Sequence, residues 1–148
     1  LLGVSVDQLV QHLDGRFLNW EEKGDNLVEH FLVGGMFLDW GVLYFERFAN
    51  KAVIVRGDRP DIQMAALQTP TSCMVLTGGH SPIQYVTYES GVTQVPLIQV
   101  QADTLSAAAA LESLQEKALF DHPLKQEQFL ELVSRHGNWE ALYEALGV

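Results

Sequence analysis

The residues of this chain best equipped for chemistry sit in short polar turns that follow apolar runs. Gly57-Asp58-Arg59 comes after Ala52-Val53-Ile54-Val55, and Thr77-Gly78-Gly79-His80 comes after Cys73-Met74-Val75-Leu76. Arg59 carries a planar fork of N–H donors suited to a phosphate or carboxylate. Thr77 and Thr104 can donate hydroxyls, and the glycines let a ligand approach the main chain. Gly34-Gly35-Met36 and Asp103-Thr104 are two further turns of the same kind. If each turn joins a parallel strand to a helix, all four meet at the carboxyl edge of one sheet, where open α/β sheets place ligands. The free amides and dipole of each following helix favour an anion there. The candidate ligand set is therefore Gly34, Gly35, Asp58, Arg59, Thr77, Gly78, Gly79, His80, Asp103 and Thr104.

The same residues have a purely structural account. Glycines after strands close tight turns, Asp58 caps the helix it precedes, and Arg59 pairs with Asp58, Asp61 or Asp103. The edge could equally be a protein interface. Catalytic signatures are missing: there is no G-x-x-x-x-G-K-[ST], no G-x-G-x-x-G and no G-x-S-x-G. The five histidines have no ligand spacing, and a single cysteine cannot build a zinc site. His80 reads as a turn residue without a positioned partner, and Cys73 as a core residue of its strand. No catalytic residue, metal or cofactor is expected.

The elements that position these turns follow from periodicity. Ser5 caps a helix with Val6, Leu9, Val10 and Leu13 on one face, ending at Asp14-Gly15. Arg16–Asn19 reads as a short strand and Leu27–Val33 as a longer one. Met36–Phe48 reads as a helix apolar on almost its whole circumference, which requires burial on two sides. Lys51–Val55, Cys73–Leu76 and Val95–Val100 are strands, the first two continuous apolar runs of the kind covered on both faces. Pro60 and Pro82 suit first helical positions, the latter helix running from Ile83 to Ser90 and ending at Gly91. Asp103 or Thr104 caps a helix containing Ala107–Ala110. The alternation predicts a three-layer α/β/α domain with a mainly parallel sheet over residues 1–117. Residues 118–148 form a tail of two short amphipathic helices, with Phe129, Leu132 and Val133 on one and Trp139, Leu142, Tyr143 and Leu146 on the other. Such helices need a surface to dock on.

Composition bounds the class. The chain has 148 residues, 47% hydrophobic and 19% charged, which is enough for one globular core. A net charge of −10 argues against nucleic acid or an anionic membrane as a partner. The lone Cys73 excludes an internal disulfide and fits a cytoplasmic protein. No signal peptide or membrane span is legible. The chain begins Leu-Leu-Gly without Met, and reads as a piece of a longer protein.

The ordered motifs resemble a known family. Asp58-Arg59 and Thr77-Gly78-Gly79, with the VPLIQV strand and Asp103-Thr104 after them, look like the DRTGG domain. Val33-Gly34-Gly35-Met36 resembles the family's Val-Gly-Ala-Met turn, with Gly35 in place of the usual Ala, and SVDQLVQHLDGRFL resembles its N-terminal helix and strand. The likeness covers Val4 to Leu114 and omits the tail. It implies a fold like the N-terminal domain of HPr kinase/phosphorylase. It also implies an accessory role in multidomain proteins, either between CBS domains of regulated pyrophosphatases or in phosphotransacetylase-like proteins with a dethiobiotin-synthetase-like N-terminal part. The expected function is a non-catalytic regulatory and oligomerisation module of a phosphotransacetylase-like parent. The expected partners are a second copy and the parent's remaining domains. Alternatives are a small-anion or nucleotide sensor at the strand ends, and an acyl or phosphoryl transferase in its own right.

Overall fold

The computed structural model describes residues 1–35 and 41–147. Residues from Leu2 to Ala118 form one compact unit and those from Leu119 onward another. In the first unit the elements are β1 (Val4–Ser5), α1 (Val6–His12), β2 (Arg16–Phe17), β3 (Leu27–Val28), β4 (His30–Gly34), α2 (Gly41–Phe45), β5 (Lys51–Arg56), α3 (Pro60–Leu67), β6 (Thr71–Thr77), α4 (Gln84–Thr93), β7 (Leu97–Gln99) and α5 (Thr104–Leu114). Among the described residues, the main sheet has five strands in the order β2-β7-β6-β5-β4, and β1 pairs with β3 in a separate two-stranded ribbon. β4, β5, β6 and β7 are parallel, and only β2 runs antiparallel to its neighbour β7.

The two apolar runs occupy the middle of this sheet because they are covered twice. Ala52, Ile54, Cys73 and Val75 pack with α1 and α5 on one face, through Val6, Leu9, Ala107 and Leu111. Val53, Val55, Met74 and Leu76 pack with α2, α3 and α4 on the other, through Phe45, Ile62, Ala66 and Val86. The architecture is three-layer α/β/α. Ser5 starts α1 with a full capping box, its hydroxyl accepting from the Gln8 amide while the Gln8 side chain accepts from the Ser5 amide.

Several local boundaries differ from the periodicity reading. The single strand expected over Leu27–Val33 is two, because residues 27–28 pair with β1 and residues 30–34 with β5. The helix expected to stop at Gly91 continues to Thr93 and ends where Gln94 takes a left-handed φ of 57°. Gly91 is exposed, so its helix cost of about 1 kcal/mol breaks no packing. Of the helix expected over Met36–Phe48, residues 36–40 lie outside the described residues. In the described part only Phe45 is buried, while Leu43, Tyr44 and Phe48 are exposed, so this stretch is covered on one side and not two.

The second unit contains α6 (Pro123–His136) and α7 (Trp139–Leu146). The His122 ring accepts from the Leu124 amide at one helix start, and the Asn138 side chain from the Ala141 amide at the other. Phe120 and Phe129 meet edge to face at 5.3 Å. The stripe of Trp139, Leu142, Tyr143 and Leu146 is exposed along its length. Among the described residues, no helix is long and apolar enough to cross a membrane, and no group of three or more His, Cys, Asp or Glu could hold a metal ion.

Candidate functional site

Because β4 to β7 are parallel and consecutive, their carboxyl ends line one edge in chain order. Gly34, Arg56, Thr77 and Gln99 terminate the four strands. The connections to α2, α3 and α4 leave on one face, and the connection to α5 leaves on the other. Adjacent strands whose connections part in this way frame the crevice of an open α/β sheet, so here it lies outside β6 and β7.

That crevice is closed by the chain itself. The Gly78 amide donates to the Ala102 carbonyl and the Gly79 amide to the Val100 carbonyl, both at 2.9 Å. The Gln99 side-chain amide donates to the Gly79 carbonyl at 3.1 Å. Gly78 and Gly79 have φ of 79° and 69°, values that L-residues rarely adopt. Thr77 is fully buried, and its hydroxyl lies 2.6 Å from that of Thr104, which ties the end of β6 to the first residue of α5. Thr77→Val should cost about 1 kcal/mol by removing this link. Thr77→Ser should retain most of it, as urea unfolding of the two variants will show.

The arginine turn is joined to the same cluster. The Gly57 amide donates to the Thr77 carbonyl at 3.1 Å, and a Cβ at Gly57 would stand 2.5 Å from the His80 carbonyl oxygen. Asp58 does not cap α3. It pairs with Arg56 at 2.5 Å, and that hydrogen bond is the main reason its carboxyl is held below the usual range. Arg59 pairs with Asp61 at 2.7 Å, through both its Nε and a terminal nitrogen. The bond from Arg59 lowers the Asp61 carboxyl most, with the Ile62 backbone amide adding to it. Asp61 thus holds the place at the α3 N-terminus that an incoming anion would take.

The remaining candidates sort readily. Asp103 caps α5 by accepting from the Ser106 amide at 2.8 Å, so it does not meet Arg59. Gly34 is buried because α3 crosses it closely; a Cβ there would lie 2.5 Å from Ile62 Cγ2. Gly35 is exposed with open space at its Cβ position, and His80 contributes its main chain to the turn contact while its residue is exposed. Gly57, Thr77, Gly78, Gly79, His80 and Thr104 are therefore brought together, and the Arg59–Asp61 pair borders them.

Two residues were missed by sequence reasoning. Arg56 is the partner of Asp58, which its spacing across the Arg-Gly-Asp turn could have suggested. Gln63, the fourth residue of α3, is fully buried and donates from Nε2 to the Arg56 carbonyl at 2.8 Å. Its Oε1 is, among the described residues, a buried side-chain atom with no hydrogen-bond partner. Its only sequence signal is a polar residue among the apolar positions of a helix face.

Comparison with known proteins decides the family. The DRTGG domain family model matches residues 8–114 of the 148.

The chain belongs to the DRTGG domain family.

A solved structure with the same fold is that of the CBS and DRTGG domains of the regulatory region of a Clostridium perfringens pyrophosphatase, complexed with its activator diadenosine tetraphosphate. It is 22% identical with a TM-score of 0.60, and the match covers 72% of this chain and 45% of that one. In this DRTGG domain the five residues behind the family name, Asp58, Arg59, Thr77, Gly78 and Gly79, occupy the two turns that follow β5 and β6, which meet through Gly57, Thr77 and His80. Each is satisfied by a neighbour in the protein: a carboxylate for Arg59, a guanidinium for Asp58, a hydroxyl or carbonyl for the rest.

Proposed function

We propose that this DRTGG domain is a non-catalytic regulatory and oligomerising module of a larger, phosphotransacetylase-like cytoplasmic protein. The observation that carries the reading is the mutual satisfaction of the strand-end rim. Its arginines are engaged by Asp58 and Asp61 and its threonines by each other, so none is poised on a reacting atom. Elsewhere, burial pushes the Cys73 thiol up to about 12, which leaves it protonated and a poor nucleophile at neutral pH. The regulatory region of the pyrophosphatase relative supports a role in control. The chain assayed for acetyl transfer between CoA and phosphate should show no turnover and should sediment as a dimer. Turnover would overturn the non-catalytic part, and a monomer at high concentration the oligomerising part.

A second reading, a sensor for a small anion or nucleotide, is favoured by the Arg59–Asp61 pair. A phosphate could displace the Asp61 carboxylate from both the guanidinium and the helix amides. The pyrophosphatase relative's nucleotide activator is in keeping with such a ligand. Titration calorimetry with phosphate, acetyl phosphate, adenine nucleotides and NADH should then give heat that Arg59→Ala abolishes. No heat with any of the four removes this reading.

A further inference from the structure

The sheet ends on one side at β4, a five-residue strand with no described strand beyond it. The direction of its main-chain groups follows from its neighbours. The Gly57 amide donates to Thr77 in β6, so by alternation the main-chain groups of Val53 and Val55 face β6 and those of Ala52 and Ile54 face β4. The β4–β5 register, with Phe31 beside Ala52, then turns His30, Leu32 and Gly34 toward β5 and leaves the amides and carbonyls of Phe31 and Val33 directed outward. The strand His30-Phe31-Leu32-Val33-Gly34 carries no acidic, lysine, arginine or proline residue. Edges are usually blunted with just those residues. In a chain of net charge −10, the five residues of this strand bring no carboxylate of their own toward a second copy, and Glu29 and Glu112 lie beside them in the groove.

A groove of about 380 Å³ runs along this edge, with His30, Phe31 and Leu32 as its floor. Leu111 and Glu112 of α5 line it as well, together with Phe48, whose ring meets that of His30 at a tilt with centroids 4.7 Å apart. We propose that β4 is a homodimer interface, pairing antiparallel with β4 of a second copy about a two-fold axis at Leu32. This proposal rests on the oligomerising reading above and names its surface. In that register Phe31 faces Val33 of the second copy, and each such pair exchanges both of its outward N–H···O=C bonds. An aromatic residue facing a β-branched one is a favourable cross-strand pair. His30, bulky and in tilted ring contact with Phe48, faces Gly34 of the second copy, so the crowded end of each strand meets the glycine end of the other. The axis passes perpendicular to the sheet, which continues through the dimer as ten strands, five from each copy.

Three proteins test this by sedimentation equilibrium and non-reducing electrophoresis, with circular dichroism as the check on folding. The wild type should be a dimer. Val33→Lys, at an exposed outward position, should remain folded and raise the dimer dissociation constant by about 10-fold or more, a change of roughly 1.4 kcal/mol. Leu32→Cys places two thiols on the axis at a non-hydrogen-bonded pair. The Cα separation there is about 4.5 Å, within the roughly 4.4–6.8 Å a disulfide spans. It should crosslink on mild oxidation, against a silent background because Cys73 is buried. A dimer unaffected by Val33→Lys, or a Leu32→Cys dimer that fails to crosslink, overturns the edge pairing and leaves the oligomerising reading to another face, such as the α7 stripe. A monomeric wild type overturns both and leaves the edge to a strand from a different protein.

Discussion

Gly57→Ala should lower the melting temperature of this domain by about 5–10 °C. The new methyl group would stand 2.5 Å from the His80 carbonyl oxygen and 2.7 Å from His80 Cβ, and a main-chain atom cannot swing aside as a side-chain end can. Overpacking of this kind costs roughly 1–3 kcal/mol, and in a domain of this size each kcal/mol moves the midpoint by a few degrees. Gly57 does not need a left-handed φ; its requirement is space, because the turn after β5 lies directly on the turn after β6. Gly35→Ala is the matched control. It has open space and no left-handed φ, and should change stability by no more than about 0.5 kcal/mol. Thermal melts of the two variants separate contact between the turns from glycine content. Equal effects would mean that the two turns do not bear on each other.

Stability should also respond to alkaline pH through Lys51. This residue opens β5, is fully buried, and donates its ammonium proton to the Pro70 carbonyl. Burial lowers its pKa from 10.5 to about 8. Between these values the unfolded chain holds the proton more tightly than the folded one, so stability rises with pH across that window. Below about 8 the full cost of burying the charge is present, and above 10.5 it is gone. Cys73 acts in the opposite sense. Its folded value of about 12 exceeds the ordinary thiol value of 9.0, so its contribution is intact below pH 9 and is lost as pH climbs above it. The comparison must therefore be between variants. The stability of the wild type minus that of Lys51→Met should grow by about 2–3 kcal/mol from pH 8 to 10.5. Denaturant titrations at several pH values measure it, and a difference that stays flat would show that the amine reaches water in the folded state.

Much of the fold was legible because its strands obey simple constraints. Ala52–Val55 and Cys73–Leu76 are uniformly apolar because each is covered on both faces, and their shortness and the polar turns around them mark them as strands. The Ser5 cap was readable from residue type alone, and the cap of α5 was narrowed to Asp103 or Thr104, of which the structure uses Asp103. What was not legible were the choices made by tertiary contacts. Whether the residues around Glu29 continue one strand or begin another depends on Val4 and Ser5, which pair with residues 27–28 from more than twenty positions away. Gly91 looks like a helix end, and its exposure is what lets the helix run on.

The rim shows the same division. Its location followed from the turns and the parallel strands, but its internal pairing did not. Asp58, Asp61 and Asp103 all lie near this edge, and nothing in their order says that Arg59 takes Asp61 rather than Asp58 or Asp103, or that Asp58 takes Arg56 instead of capping α3. Those outcomes depend on side-chain reach over a few ångströms, which periodicity does not encode. Gln63 was invisible for the same reason: a buried glutamine declares itself only when the main-chain carbonyl it serves is in place.

The strand order has a consequence for how the chain assembles. From β4 to β7 every strand lies beside the next one in sequence, so four strands and three crossovers can be added one after another, each closing only a short stretch of chain. The N-terminal segment is the exception. β2 reaches β7, and α1 reaches α5, across eighty residues or more, as in the pairing of Arg16 with Gln99 and the bond from the His12 ring to the Ala110 carbonyl at 2.8 Å. Those first residues therefore act as a clasp fastened late, over a ladder already standing. They should be the part of the unit that loosens first, exchanging amide hydrogens faster than the strands they hold.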